Sequence, residues 1–457
     1  MSPGLLPITV GIAFFMEQLD TTIIAPAIPD IAHSLNVDPL SLNLTMTIYL
    51  LCSVAFIPIG DWLAARFGTR TVFQAAVTGF ALSSLMCALS GSVEMLVAGR
   101  ALQGASAALM VPVGRTSIVH VTEKPRLVSA LAWMITLAMI GPLLGPPLGG
   151  LLTTWLSWHW IFLINVPIAL LCLACSLRVF PQIRQAHDQS FDVLSWVMLG
   201  GVMAIVIVLL EGLRDGQAAR VAWLAPMLVL AIAYSYRSRR ARAPMLSFSL
   251  LRVPTFAASF WSGSLLRVGY GALPFLLPLM LQLALGYTPL QSGLVLLASG
   301  AIALATKTQT TRLLRRWGFR SVMLVNGSLC VLALLACALF RTHWSMGAVA
   351  LTVSIAGFFR AVQFNAVTAI AYADLPAQRI GAATTLNTMV QQLAIMVGIA
   401  LSSAIVGLSA RLGGRSDAAP IDFSMAFLCV ALIGAMATPA CLRLRRDAGS
   451  QLSGHGA

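Results

Sequence analysis

Five charged residues lie inside stretches of sequence that are otherwise apolar: Glu17, Asp20, Arg100, Arg267 and Arg360. Glu17 and Asp20 are three residues apart, so on a helix they share a face. A carboxylate held in hydrocarbon is costly unless it is paired, hydrated or protonated. A carboxyl that meets water from one side at a time can take up a proton there and release it on the other. That is proton-transfer chemistry, with no bond-breaking step. Counting about 1.5 Å per residue, Asp20 lies roughly 22 Å along the helix from residue 5. Arg100 sits at a similar depth on a segment running the other way, so depth alone allows an Asp20–Arg100 pair. A static pair that only fixes helix packing is the competing reading. Arg267 is roughly 18 Å along its own helix, near the midplane, and is flanked by Gly263, Gly269 and Gly271. Glu17 and Asp20 are the only acids this reading places deep in a span, so Arg267 and Arg360 have no deep acid in their half. Two such cations favour an anionic or zwitterionic ligand. For Arg360, snorkelling toward the cytoplasmic surface is the competing reading.

Other chemistries lack their residues. There is no GxxxxGK[ST] loop, and the only lysines are Lys124 and Lys307. An ATP-driven engine is therefore not encoded in this chain. No HExxH motif and no plausible Ser/His/Asp set is present, so the chain reads as no enzyme, with no metal site and no cofactor. Cys172 and Cys175 form a CxxC within apolar sequence, without His or acidic neighbours, and read as small apolar filler.

The elements that must hold the five charges are apolar helices. Of 457 residues, 58% are hydrophobic and 10% charged, against about 25% charged in a soluble domain. Mean hydropathy is +0.88. This excludes a soluble enzyme, a disordered chain and a nucleic-acid binder, even though the net charge is +14. The expected spans are 6–29, 42–60, 71–90, 94–114, 128–152, 160–178, 193–212, 220–236, 257–283, 288–306, 321–340, 345–368, 381–408 and 423–441. With cytoplasmic termini, 21 of the 29 cations fall in inner loops, five in outer loops and three inside spans. This positive-inside bias supports fourteen spans, because an odd count would scramble it. The N-terminal stretch lacks a basic n-region and an A-x-A site, so it reads as a retained first span.

Residues 60–70 (GDWLAARFGTR) and 310–320 (TTRLLRRWGFR) repeat at an offset of 250, with Leu63/Leu313, Arg66/Arg316, Gly68/Gly318 and Arg70/Arg320 coinciding. Each segment follows the second span of a six-span group. The predicted architecture is an all-α polytopic membrane protein of six, two and six helices. Residues 1–180 form the first bundle, 181–252 carry two inserted helices, and 253–457 form the second bundle and tail. Repeated halves of this kind suit a transporter that rocks around a midplane site.

Several motifs together resemble the major facilitator superfamily, in its fourteen-helix drug:proton antiporter branch. They are Leu19-Asp20-Thr21-Thr22 with Ala27-Ile28-Pro29, Arg100-Ala101-Leu102-Gln103-Gly104, and Gly141-Pro142 through Gly145, Pro146, Pro147 and Gly149. Trp158-His159-Trp160 followed by Asn165-Val166-Pro167 continues the match, as do Gln282, Gly286-Tyr287 and Gly293. The resemblance covers about residues 5–445. It implies a major facilitator fold of fourteen helices and an exporter coupled to protons, with a coupling role for Asp20, Glu17 and Arg100. It also implies conformational roles for the loop residues Asp61, Arg66, Gly68 and Arg70, for Gly104, and for the Gly141, Pro142, Gly145 and Gly149 stripe. The loop departs from the family pattern GxLaDrxGrr, with Ala65 where an aspartate is usual; Asp61 could substitute. Gln282, Gln363, Asn365, Gln391 and Gln392 could line the cavity with Arg267, or make ordinary interhelical hydrogen bonds. The expected partners are a small-molecule substrate, protons and the lipid bilayer of the bacterial inner membrane, with the protein acting as a monomer. Export of an organic anion or metal chelate, such as a citrate-like metabolite, is the second reading.

Overall fold

The computed structural model describes residues 5–184, 191–240, 245–376, 379–415, 417–442, 444–445 and 448–453. All regular structure among them is helical. The helices that match the expected spans are α1 (Leu5–Leu35), α2 (Asn43–Phe67), α3 (Thr69–Ala88), α4 (Val93–Val121), α5 (Lys124–Trp155), α6 (Trp160–Val179), α7 (Val193–Asp215), α8 (Leu224–Arg240), α9 (Pro254–Ala284), α10 (Pro289–Ala305), α11 (Lys307–Cys337), α12 (Met346–Ile370), α13 (Ile380–Leu412) and α14 (Pro420–Leu442). Thirteen of the described helical segments are long and apolar enough to cross a membrane, and α10 is a shorter apolar helix. With no water in hydrocarbon to satisfy backbone groups, a chain this apolar closes its hydrogen bonds within helices. The protein is a multi-pass membrane protein.

The chain divides into two compact units. One holds Met1–Met203 with Thr288–Gly293, and the other holds Ala204–Tyr287 with Leu294–Ala457.

The repeat read from residues 60–70 and 310–320 extends into three dimensions. Gly68 (φ 93°) separates α2 from α3, and Gly318 (φ 70°) breaks α11 at the corresponding point. A positive φ is easy only for glycine. From 68 to 84 and from 318 to 334, buried, half-buried and exposed residues follow one another in the same order at every position. The next helix of each half starts alike. Ser92 accepts a hydrogen bond from the Met95 amide, and Ser345 accepts one from the Ala348 amide. These are side-chain N-caps that satisfy one orphan donor each. Further along, Gly104 packs against the backbone of Tyr49 and Gly357 against Ser299. Tyr49 and Ser299 are again 250 residues apart.

Candidate functional site

In the first unit, α1 is pinned at the height of Glu17 and Asp20 by α5. A Cβ at Gly141 would collide with Gln18 and Leu19, one at Gly145 with Thr22, and one at Gly149 with Ile23. The small-residue stripe therefore lets two backbones approach. Pro142, on the same segment, is exposed.

The Asp20 carboxylate is fully buried, at 0% exposure. Its Oδ2 accepts from Arg100 Nη1 at 2.5 Å. Its Oδ1 accepts from Asn165 Nδ2 at 2.7 Å and from Gln103 Nε2 at 3.1 Å. Arg100 also donates to Gln103 Oε1 (2.8 Å) and to the Thr45 carbonyl (3.2 Å), and it lies 4.3 Å over the Tyr49 ring. Gln103 and Asn165 both donate to Ser84 Oγ, at 2.7 and 3.5 Å. Five helices, α1 to α4 and α6, thus converge on one carboxylate. The charges cancel, and the hydrogen bonds repay desolvation that an unpaired ion would leave outstanding. Glu17, one turn earlier, is 8% exposed, and its Oε2 is buried without a hydrogen-bond partner.

Depth in the sequence paired Asp20 with Arg100. Ser84, Gln103 and Asn165 were not picked out as site residues. The available signals were the i, i+3 spacing of Arg100 and Gln103 and a lone asparagine opening an apolar run.

The second unit is arranged differently. Arg267 is 5% exposed. It makes no hydrogen bond or ion pair among the described residues, and its guanidinium lies 4.7 Å from the centre of the Phe364 ring. Arg360 is half-buried and makes neither contact. Gln363 is committed elsewhere: it donates to the Met323 carbonyl (3.1 Å) and accepts from Asn326 (3.0 Å), which also donates to the Phe359 carbonyl (2.8 Å). Asn365 is exposed and reaches Thr310 at 3.5 Å. Gln282, Gln391 and Gln392 are half-buried. A buried acid that the sequence reading left out is Asp422, at 0% exposure. It sits at the start of α14, just outside the expected span. It accepts from Ser409 (2.6 Å), the Ala419 amide (2.9 Å) and Arg415 (2.5 Å). Its charge is spent on closing that turn.

The family model described as Major Facilitator Superfamily matches residues 10–399. The chain belongs to the Major Facilitator Superfamily. It is a transporter of that superfamily and not an enzyme. It is similar to the "Putative multidrug resistance protein MdtD" of Salmonella paratyphi A (strain ATCC 9150 / SARB42), at 31% identity over 442 residues, covering 95% of this chain and 93% of the relative. The protein of the same name from Salmonella typhi has the same identity and coverage. Among solved structures, the fold is similar to that of a bacterial homolog of the human lysosomal transporter Spinster (TM-score 0.68, 13% identity, 97% of both chains). It also resembles the nucleoside transporter NupG (TM-score 0.66, 14% identity, 96% of this chain and 99% of that one) and the human organic anion transporter MFSD10 (TM-score 0.63, 15% identity, 96% and 100%).

The superfamily loop after α2 is secured in a way the sequence reading missed. Gln182 donates from Nε2 to the Phe67 carbonyl and to Thr71 Oγ1, both at 3.0 Å, and accepts from the Thr71 amide at 3.3 Å. The Thr69 amide donates to the Ile183 carbonyl at 3.1 Å. Thr69 Oγ1 donates to the Pro181 carbonyl (2.8 Å) and accepts from the Ile183 amide (3.2 Å). Arg70 reaches the Leu177 carbonyl at 2.8 Å. Arg66 is exposed and stacks over Trp62 and Phe67. The side chain of Asp61 lies outside the described residues. In the turn between α5 and α6, His159 stacks on Trp158 at 3.8 Å, and burial holds its imidazole below the ordinary range.

Proposed function

We propose that this transporter is a proton-coupled exporter of drug-like or metabolite compounds, working by alternating access in the bacterial inner membrane as a monomer. The six, two and six arrangement, with both termini cytoplasmic, is part of the proposal. The observation that carries it is the enclosed Asp20 cage. An ionised Asp20 holds Arg100, Gln103 and Asn165, and through them four further helices. A protonated Asp20 loses the charge that Arg100 needs and turns one acceptor oxygen into a donor. Gln103 and Asn165 then compete for the remaining acceptor. The cage is stable in one protonation state and strained in the other, so a proton becomes a bias between two helix arrangements. Glu17, with an uncommitted oxygen one turn away, is the relay that passes the proton or meets the substrate. Gln182 takes over part of the loop-holding task left by Ala65.

The second reading, export of an organic anion, is favoured by one observation: the uncommitted guanidinium of Arg267.

Coupling is tested in proteoliposomes that hold a trapped pH dye. Addition of ethidium or 1-naphthoate to wild-type vesicles should move protons in the direction opposite to the compound. Compound movement with no proton movement would reduce the protein to a passive carrier.

A further inference from the structure

The first unit neutralises its buried charge; the second leaves one open. Arg267 is nineteen-twentieths buried, and the five N–H donors of its guanidinium meet no acceptor among the described residues. The Phe364 ring beneath it offsets only part of the cost of removing the charge from water. The guanidinium folds back along α9, with Nη1 2.6 Å from where a Cβ on Gly263 would stand. A larger residue at 263 would close the space it uses. The surroundings are aromatic. Phe364 lies edge-on to Tyr270 at 6.1 Å, and Arg360 is within electrostatic reach of Tyr270, as Tyr372 is of Arg267.

A purely structural residue at position 267 would be apolar or paired, since a buried cation without a counter-ion destabilises the fold that holds it. A cation kept without a partner is explained by a ligand that brings the counter-charge. A guanidinium is a planar fork that matches a carboxylate with two parallel hydrogen bonds. Arg267 is the guanidinium held on the Phe364 face, and Arg360 bears on the site only at a distance, through Tyr270. That suits a single negative charge better than a phosphate or a tricarboxylate. The apolar walls suit an apolar body.

We propose that Arg267 anchors the carboxylate of a singly charged, amphiphilic organic acid, whose apolar part lies against Phe364 and Tyr270. This rests on the export reading for the direction of transport. The binding itself needs no proton coupling.

The test uses the purified full-length protein in lipid nanodiscs, with 1-naphthoate as the probe and 1-naphthalenemethanol as its uncharged analogue. Wild type should bind naphthoate saturably and prefer it to the alcohol. Arg267→Gln should weaken naphthoate by about tenfold or more and leave the alcohol unchanged. Arg267→Lys should fall between, because it keeps the charge and loses the fork; it also serves as the folding control. Equal naphthoate affinity in wild type and Arg267→Gln would overturn the proposal. So would a wild type that binds none of naphthoate, salicylate and octanoate. The Asp20→Asn variant separates this inference from the export reading: on that background, Arg267→Gln should weaken naphthoate by the same factor as it does in wild type. If Asp20→Asn also kept gradient-driven transport, proton coupling through Asp20 would fail while the Arg267 site stood.

Discussion

The two units use one helix scaffold for opposite electrostatics. The offset of 250 that matches Gly68 with Gly318 also matches Ser84 with Leu334 and Thr45 with Val295. The offset of 253 that matches the caps Ser92 and Ser345 matches Arg100 with Val353 and Gln103 with Ala356. Every one of these cage positions is apolar in the second unit. There, the polar pair Asn326–Gln363 stands where the first unit has Ala76 and Met110, and it closes on itself and on backbone carbonyls. The packing surface was kept while its chemistry was exchanged. One half holds a carboxylate whose two oxygens are both bonded in a neutral cage, and the other holds a buried cation with no hydrogen bond or ion pair among the described residues. On the proposed reading the difference is a division of labour, with proton response in one half and ligand charge recognition in the other.

Truncating the two arginines gives the largest contrast. Arg100→Ala strands Asp20 as a buried, half-bonded charge. It should cost about 3–5 kcal/mol, read as a lower apparent melting temperature of the detergent-solubilised protein. Arg267→Leu removes a buried charge that has no hydrogen bond or ion pair among the described residues, and should be neutral or stabilising by up to about 1–3 kcal/mol. Equal losses at both sites would break the comparison. The double variant Asp20→Asn with Arg100→Gln should recover part of the Arg100→Ala loss, since it removes both charges together.

The shared scaffold is tested next. Gly104→Leu and Gly357→Leu both insert bulk where two backbones touch. Each should cost at least about 1–3 kcal/mol, and by similar amounts. Gly91→Leu, where a side chain meets open space, should be nearly silent. A tolerated Gly357→Leu would show that the halves are packed differently.

Smaller effects probe local devices. Gln182→Ala removes three hydrogen bonds from the loop after α2. It should cost about 1–2 kcal/mol and speed amide exchange at Thr69 and Thr71, leaving the second-half turn at Gly318 unaffected. Ser92→Ala and Ser345→Ala should each cost about 1 kcal/mol.

Much of this fold could be read from residue types. All fourteen expected spans have a helix, because spans in hydrocarbon are long, apolar and separated by charged or Gly/Pro turns. The repeat was visible only in four residues around Gly68 and Gly318, yet burial follows it for a further turn after turn. Burial depends on apolar pattern, which many sequences satisfy, so identity fades while packing persists. The Asp20–Arg100 pairing could be inferred because charges in apolar helices are few and depth can be counted. Asn165 and Ser84 could not, since polar neutral residues occur throughout spans and their partners are far away in sequence. For Gln363 the sequence left a cavity role and interhelical hydrogen bonds both open for the same reason, and its hydrogen bonds are spent inside the helix pair α11 and α12. Asp422 lies one residue outside the expected span 423–441. Gln182 lies in a polar connection that carries no motif.

Asp20 is the group proposed to convert a proton into motion. The most direct measurement is transport in proteoliposomes under an imposed pH gradient, compared with exchange in its absence, for wild type and Asp20→Asn. Wild type should accumulate 1-naphthoate or ethidium against its own gradient when the pH difference is applied. Asp20→Asn should still exchange the compound across the membrane at equilibrium and should show no response to the gradient. Gradient-driven accumulation that survives in Asp20→Asn would contradict the account.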